Sequence, residues 1–472
     1  MRAVVGKLIQ GKPDLPVNSI SIDTRTLKSG DLFFALCGPN FDAHKFLLDA
    51  FDKGACGIVV NTNSKISNMI KETHKNKVII EVEDTVKALQ DWARYLKNEF
   101  KTKNICVTGS TGKSTTKELI SSILSRSYCL LKTVGNFNNE IGIPLTLFNL
   151  QDCHELLIVE MGMQGLGEIS HLTKIVQPNI AVITNIGDSH IGLLGSRENI
   201  FRAKSEILSA LKNDGIAVLN RDDDFYLKAR ELTEGKKYIT YGIQNKSEVM
   251  ASDIRYNNEK GMVFHLKIGQ YIKEDLSFSL LGVHNVYNAL AAAAVAYAVG
   301  MDGHSIVKGL IAFKTIKMHM QILPFFNGIK ILNDAYNASP SSVNAALVTA
   351  QQIARKNRKI AILGDMLELG ARSRDFHKKI GEKIANSSFE LLFTVGEGGK
   401  VMGQSALEYG MASDHIFSFA KEEKKELSQQ LSRRLKPNDF LLIKGSRGME
   451  MEKIQYYLNL YYTKYLKRWQ NG

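Results

Sequence analysis

Proline is scarce in this sequence. Eight occur in 472 residues, against an average usage of about 5%. Proline-rich linkers between its parts are therefore excluded. Cysteine is sparse too: Cys37, Cys56, Cys106, Cys129 and Cys153 make five, and none forms a C-x-x-C pair. That odd count suits no disulfide framework and is expected to represent buried free thiols in a reducing cytosol. Long apolar runs are missing as well. The longest covers residues 289–301, which is 13 residues, too short to span a bilayer and suited to a buried helix. The opening stretch, MRAVVGKLIQGKPDLP, holds no apolar segment long enough for a signal peptide. A cytoplasmic protein is expected. There is no low-complexity tract and no obvious internal repeat.

What is present describes a globular protein of several parts. Apolar residues make up 44% and charged residues 23%, both ordinary for a soluble chain. A single core rarely exceeds about 250–300 residues, so about three domains are expected. Lys and Arg outnumber Asp and Glu by 61 to 48, a net of +13. Such a surplus suits nucleic acid, a membrane surface or an anionic small substrate, and alone selects none of them. Residues 421–472 hold 12 basic and 6 acidic residues, so nearly half of the surplus lies in the tail.

Short β-type apolar runs alternate with stretches of helical period, which predicts an α/β protein. Residues 58–61 and 78–82 read as strands, and Val86, Leu89, Ala93 and Leu96 recur at helical spacing. A second series follows with strands at 105–108, 156–160, 180–185 and 216–220 and a long helix near 285–299. Each strand ends in a polar or glycine-containing turn, the pattern of a parallel sheet that binds ligands at its carboxyl ends. A third series, with strands at 329–332, 360–363, 391–395, 416–419 and 440–443, reads as another doubly wound sheet.

The sharpest chemical signal is Gly109-Ser110-Thr111-Gly112-Lys113-Ser114-Thr115 between a strand and a helix. Glycines let backbone N–H groups approach phosphate oxygens, and the helix N-terminus adds positive potential. Lys113 can reach the outer phosphates, and Ser114 can offer a hydroxyl to Mg²⁺. The loop is a shortened form, because Val107 stands at the first-glycine position of the longer pattern. It suits a switch GTPase, a kinase or a ligase equally. Later turns add candidates. Asn136, Asn138 and Asn139 cluster in a polar turn that could hold a ligand. Glu160 ends a strand beside the loop and is a candidate Mg²⁺ ligand. His190 follows another strand end. Lys204 lies on a helical stretch and, on residue chemistry alone, reads as solvent-facing.

Taken in order, T-G-S-T-G-K-S-T, G-N-F-N-N-E-I-G-I-P, V-E-M-G-M, N-I-G-D-S-H, A-K-S-E-I and G-V-H-N-V-Y-N-A-L resemble the Mur ligases, ATP-dependent amide-forming enzymes of bacterial cell-wall precursor synthesis. The resemblance covers essentially the whole chain. D-A-Y-N-A-S-P, L-G-D-M-L-E-L-G and K-G-S-R are most similar to the branch that adds D-alanyl-D-alanine to UDP-N-acetylmuramoyl-tripeptide. No D-N-P-R string, expected of the sister that adds the third residue, is found.

The resemblance implies three domains: residues 1–98 for the UDP substrate, a central P-loop parallel-sheet ATPase at 99–315, and a Rossmann-like domain at 316–472 for the amino substrate. It implies ATP and Mg²⁺ as cofactors. Residues 109–115 would cradle phosphates, with Lys113, Glu160, His190 and Lys204 catalytic. Ser114, Glu160, His190 and a carbamylated Lys204 would serve the metal sites. Asn288 would contact adenine, and Asp334, Tyr336 and Asn337 the nucleotide across the cleft. Asp23, Arg25, Asn136, Asn138, Asn139, Lys444 and Arg447 would contact substrates. The string at residues 38–44 resembles part of the uridine-nucleotide region. Ile316-Lys317-Met318-His319-Met320 stands where many members have a Gly-Arg pair, so His319 or Lys317 would take the arginine's place. Ser339 replaces the usual asparagine.

The implied reaction phosphorylates the tripeptide carboxylate and lets an amine attack the acyl phosphate. Alternatives are a sister Mur or folylpolyglutamate-type ligase that adds one amino acid, and a nucleotide-dependent switch or scaffold. The chain lacks an N-K-x-D turn, which argues against a GTPase, and no nucleic-acid module is recognised. A monomer with small-molecule partners is expected. Ile454, Tyr457, Leu458, Tyr461, Tyr465 and Leu466 predict a terminal helix packed on the third domain. Lys464, Lys467 and Arg468 suggest a second reading, weak association with an anionic membrane surface.

Overall fold

Three stretches of β-type sequence build three main sheets in the computed structural model, which describes residues 5–38, 41–62, 64 and 72–470, with side chains to residue 462. The first sheet has the order Gly6–Gln10, Val78–Val82, Gly57–Asn61, Leu32–Phe34, Ile20–Ser21. Only the first pair is antiparallel. The helix Thr85–Glu99, capped by Asp84, covers one face with Ala88 and Leu89. Residues 39 and 40, part of the string at 38–44, lie outside the described residues.

The central sheet has nine strands. Its parallel part runs Val249–Tyr256, Lys237–Gly242, Ile216–Asn220, Ile180–Ile183, Lys103–Thr108, Leu156–Glu160, Leu130–Lys132. Strands buried on both faces must be apolar throughout, and Leu156–Glu160 and Ile180–Ile183 are buried at every residue. Met262–Ile268 and Tyr271–Phe278 extend the sheet as antiparallel strands. The sequence reading did not foresee this extension. Its signal was the alternation of Met262, Phe264, Leu266 and Ile268, all buried, with more exposed neighbours.

The apolar run at 289–301 falls largely in the helix Val283–Val299, whose residues Ala289 to Ala296 are all buried. Alanines let this helix lie close to both the sheet and the helix Lys113–Leu124. The third sheet has the order Gln321–Pro324, Lys330–Asp334, Phe440–Lys444, Lys359–Gly364, Phe389–Val395, Ile416–Phe419, parallel except for its first pair. One apolar cluster joins the central and third sheets, through Ile191 and Leu194 on one side and Leu332, Val343 and Leu369 on the other. The chain is thus an α/β protein of three domains, with a P-loop sheet at its centre.

The closing helix, Glu452–Gln470, packs Ile454 and Leu458 into the third core. The side chains of Lys464, Tyr465, Leu466, Lys467 and Arg468, on which the membrane-surface reading rests, lie outside the described residues. Among the described residues no helix is long and apolar enough to cross a membrane. The cysteine expectation needs correction. Cys56 and Cys106 are buried, but Cys37, Cys129 and Cys153 are exposed. Cys129 and Cys153 lie in the turns before strands, where the backbone has not yet entered the core.

Candidate active site

The strand Lys103–Thr108 delivers the phosphate loop to the helix Lys113–Leu124. Gly109 and Gly112 have φ of 147° and 81°. A Cβ at Gly109 would strike Thr184, and one at Gly112 would strike Asn288, so the loop tolerates no side chain at either place. Gly112 is also the helix N-cap, and no side chain caps it. The first helical N–H groups are therefore open to an anion. Lys113 Nζ donates to the carbonyl of Gly109 at 2.9 Å. A neutral carbonyl is a weaker partner for an ammonium than a phosphate oxygen. Burial lowers the Lys113 pKa, and the carboxylates of Glu160 and Glu368 oppose that fall.

Glu160 ends the neighbouring strand and is 2% exposed. Asn138 donates to its Oε1 at 2.9 Å. Its Oε2 is buried with no hydrogen-bond partner; the Lys117 ammonium is 3.8 Å away. Lys117 is instead held by the carbonyl of Thr133 at 2.8 Å. A buried carboxylate oxygen left open beside an uncapped helix fits a divalent cation, which takes oxygen ligands. Ser114 lines the same cleft.

Lys204 lies on the helix Arg197–Ser209, and its side chain is wholly buried. The solvent-facing reading is overturned. Its neighbours on the helix face, Ile200, Ala203 and Ile207, form the core stripe, and Lys204 shares that stripe. Its Nζ has no hydrogen-bond partner. Burial pushes its pKa well below the usual lysine range, and repulsion from Lys113 adds to the shift. Both effects favour loss of the proton, and the neutral amine is the form that can take up carbon dioxide.

His190, in the left-handed region at φ 65°, faces the third domain. Its Nδ1 lies 2.7 Å from Glu368 Oε2, at an angle outside ordinary hydrogen-bond geometry. The imidazole holds the Glu368 carboxyl below its usual range. Gly192 N donates to the Glu368 carbonyl at 3.1 Å, so the two loops close on each other. On the third sheet, Asp334 and Lys444 end adjacent strands opposite each other. Lys444 Nζ reaches Asp334 Oδ2 at 2.5 Å and the carbonyl of Asn337 at 2.8 Å. Both side chains are largely buried, at 3% and 12% exposure. Removing one member of such a pair strands a buried charge. Asp334→Ala is therefore expected to lower stability by about 3 kcal/mol. An unchanged urea midpoint would show that the pair holds nothing together.

Apart from Gly109, Lys117 and the fully enclosed Lys204, these groups line one cleft of about 1690 Å³. It gathers residues 110–115, Asn136, Asn138, Asn139, Glu160, His190, Asn288, Asp334, Tyr336, Asn337, Lys444 and Arg447. Asn139 Oδ1 also accepts from Gly142 N at 2.8 Å, at the start of the helix Gly142–Leu147. Asn288 accepts from Thr116 Oγ1 at 3.3 Å and donates to Asn285 Oδ1 at 3.0 Å. Arg447, about half exposed, pairs with Glu452 at 2.8 Å. Between the two candidates for the arginine's place, His319 lines the cleft, while Lys317 is exposed and does not. The His319 ring lies against Tyr336, centroids 4.5 Å apart, and burial lowers its pKa. Asp23 and Arg25 do not reach the cleft. They bind each other at 2.7 Å on the first sheet's surface, which brings the Asp23 carboxyl down to about 2.

His284, Glu368 and Asp222 are among the cleft groups not assigned roles from sequence. His284 and Glu368 lay inside strings already singled out. Burial drops the His284 pKa to about 4, so it is neutral. Asp222 follows the strand Ile216–Asn220, accepts three backbone N–H bonds from residues 243–245, and accepts from Tyr287 at 2.9 Å. The rule that ligands collect at strand carboxyl ends would have found it.

The family described as "Mur ligase middle domain" matches residues 107–296, and "Mur ligase, glutamate ligase domain" matches residues 320–447. The UDP-N-acetylmuramoyl-tripeptide–D-alanyl-D-alanine ligase of Bacillus subtilis is 36% identical over 93% of this chain and 92% of its own length. The structure of MurF from Acinetobacter baumannii is similar with a TM-score of 0.86, 32% identity and 96% coverage of each chain. MurF ligase from Thermotoga maritima in complex with ADP is similar with a TM-score of 0.80 and 27% identity, over 94% of this chain and 98% of that one.

Proposed function

Because the chain belongs to the Mur ligase family, we infer that its cleft joins D-alanyl-D-alanine to UDP-N-acetylmuramoyl-tripeptide at the expense of ATP, in peptidoglycan precursor synthesis. The observation that carries the reading is the meeting, in one cleft, of the phosphate loop, the open Glu160 carboxylate and the Asp334–Lys444 edge of the third domain.

A carboxylate resists attack by an amine because its charge shields the carbon. Transfer of the γ-phosphoryl group to a carboxylate oxygen removes that shield and releases ADP. The amine nitrogen of D-alanyl-D-alanine then bonds to the acyl carbon. The tetrahedral intermediate breaks its C–O bond, inorganic phosphate leaves, and the amine gives up a proton. Lys113 and the open N–H groups of its helix hold the phosphate oxygens throughout. Ser114, Glu160 and His190 are the residues that would hold Mg²⁺, which would supply charge neutralisation at the transferring phosphoryl group. Lys204, as a carbamate, would add an anionic oxygen in place of a strained buried amine. Asn288 and the Tyr336–His319 pair are suited to the nucleotide's base and ribose side. Lys444, Arg447 and the three asparagines suit the anionic substrates. Asp23 and Arg25 would meet the uridine end.

In this reading residues 1–98, 99–315 and 316–472 take the UDP substrate, ATP and the amine in turn. The enzyme works as a cytoplasmic monomer, where ATP and nucleotide-linked precursors are found, and its product ties it to cell shape and division. The test is release of ADP by the purified chain. Turnover is expected only when the UDP-linked tripeptide and D-alanyl-D-alanine are both present. Equal turnover with a single amino acid would instead favour a sister ligase, and none with any pair would sink the reading.

A further inference from the structure

Two exposed cysteines lie together at the outer edge of the central sheet. Cys129 immediately precedes the edge strand Leu130–Lys132, and Cys153 lies in the turn before Leu156–Glu160. These strands pair in parallel, with Leu130 opposite Leu156. The carbonyl of Cys129 accepts from Glu155 N at 2.8 Å and from Leu156 N at 3.3 Å, so the two strand entries are pinned side by side. Cys129 Sγ donates to Cys153 Sγ at 2.9 Å. Closing that gap to a disulfide bond takes a movement of under about 1 Å.

We propose that Cys129 and Cys153 are a reversible redox-modification site, a dithiol that forms an intrachain disulfide with a low-molecular-weight disulfide as oxidant. Thiolate attack by one cysteine on glutathione disulfide forms a mixed disulfide and releases one glutathione thiolate. The second cysteine attacks the protein sulfur of that mixed disulfide, and the second glutathione leaves. The protein loses two thiol protons and two electrons, and the oxidant becomes two glutathione thiols. Attack within the chain is favoured because the partner sulfur is already in contact. The buried cysteines do not compete, since Cys106 is fully enclosed and burial pushes its thiol far up.

A metal is the rival occupant, because a ring nitrogen of His154 comes within 4.8 Å of both sulfurs. Two observations disfavour it. His154 Nδ1 accepts a backbone hydrogen bond from Gln151 N at 2.9 Å, which leaves the ring proton on Nε2 and neither nitrogen free to ligate. Among the described residues the two thiols and this one ring make three donors, short of the four of a structural zinc site.

The test uses the whole chain, equilibrated with glutathione disulfide, then alkylated and mapped by mass spectrometry without reduction. A peptide pair joined through Cys129 and Cys153 is expected, and dithiothreitol should remove it. The bond closes a loop of 24 residues, so the thermal midpoint should rise by about 5 °C and return on reduction. Cys129→Ser and Cys153→Ser should each leave the other member of the pair carrying a single glutathione, mapped apart from the exposed Cys37, with no rise. Neither cysteine lines the cleft, so basal turnover of these variants should match the parent. Wild-type protein carrying one glutathione on each cysteine and no joined peptide would overturn the proposal. So would zinc that purifies with the chain at one per molecule and shields both thiols.

Discussion

Lys113→Met is expected to slow substrate-dependent ADP release by about three orders of magnitude. The ammonium is the one mobile cation that the phosphate loop itself supplies, and it already bends over that loop onto the Gly109 carbonyl. A group that serves charge developing in transfer shows mainly in kcat, whereas one that only tethers nucleotide shows in KM. Methionine keeps the length and apolar stem, so the variant should fold as the parent does. Its lost hydrogen-bond partners are backbone carbonyls of the loop. Steady-state rates at saturating ATP are the measurement. A loss below tenfold would remove Lys113 from the chemistry.

Lys204→Met separates activity from stability. Without its carbamate the parent buries an amine that has no hydrogen-bond partner, and such a group costs about 1–3 kcal/mol in desolvation. An apolar side chain of similar volume relieves that cost, so the variant should unfold at a higher urea concentration. The same change should lower turnover by about two to three orders of magnitude, because no anionic oxygen can be built at this position. Destabilising groups that persist at functional sites behave in this way. A variant that is both less stable and fully active would show that Lys204 is only a poorly solved piece of core. Depleting dissolved carbon dioxide from the parent should reduce its activity toward the variant's level.

The layers were legible because parallel strands need continuous apolar runs. Leu156–Glu160, Ile216–Asn220 and Ile416–Phe419 were bounded to the residue. The phosphate loop was legible because few other sequences place two glycines and a lysine between a strand and a helix. Lys204 was not legible from residue chemistry: lysine is a surface residue in nearly every setting, and only its position on the Ile200–Ile207 stripe shows otherwise. The exposed cysteines misled in the opposite sense, because apolar neighbours in sequence do not bury a residue that stands in a turn. Pairings between distant loops, such as His190 with Glu368, depend on how two domains meet, and periodicity carries no information about that.

The seat of the phosphate loop has a consequence for how the chain is made. Gly112 and Thr116 rest on Asn288, which is 172 residues further along from Thr116, and the loop's helix packs on Val283–Val299 and Gly303–Ile311. A ribosome adds roughly 5–20 residues per second, so about ten to thirty seconds separate the emergence of the loop from that of its support. Throughout that interval the nascent chain displays a nucleotide-binding sequence without the wall behind it. Bound nucleotide therefore cannot guide the early folding of this domain. Its contribution to the folded population begins only once the alanine-rich helix has left the exit tunnel.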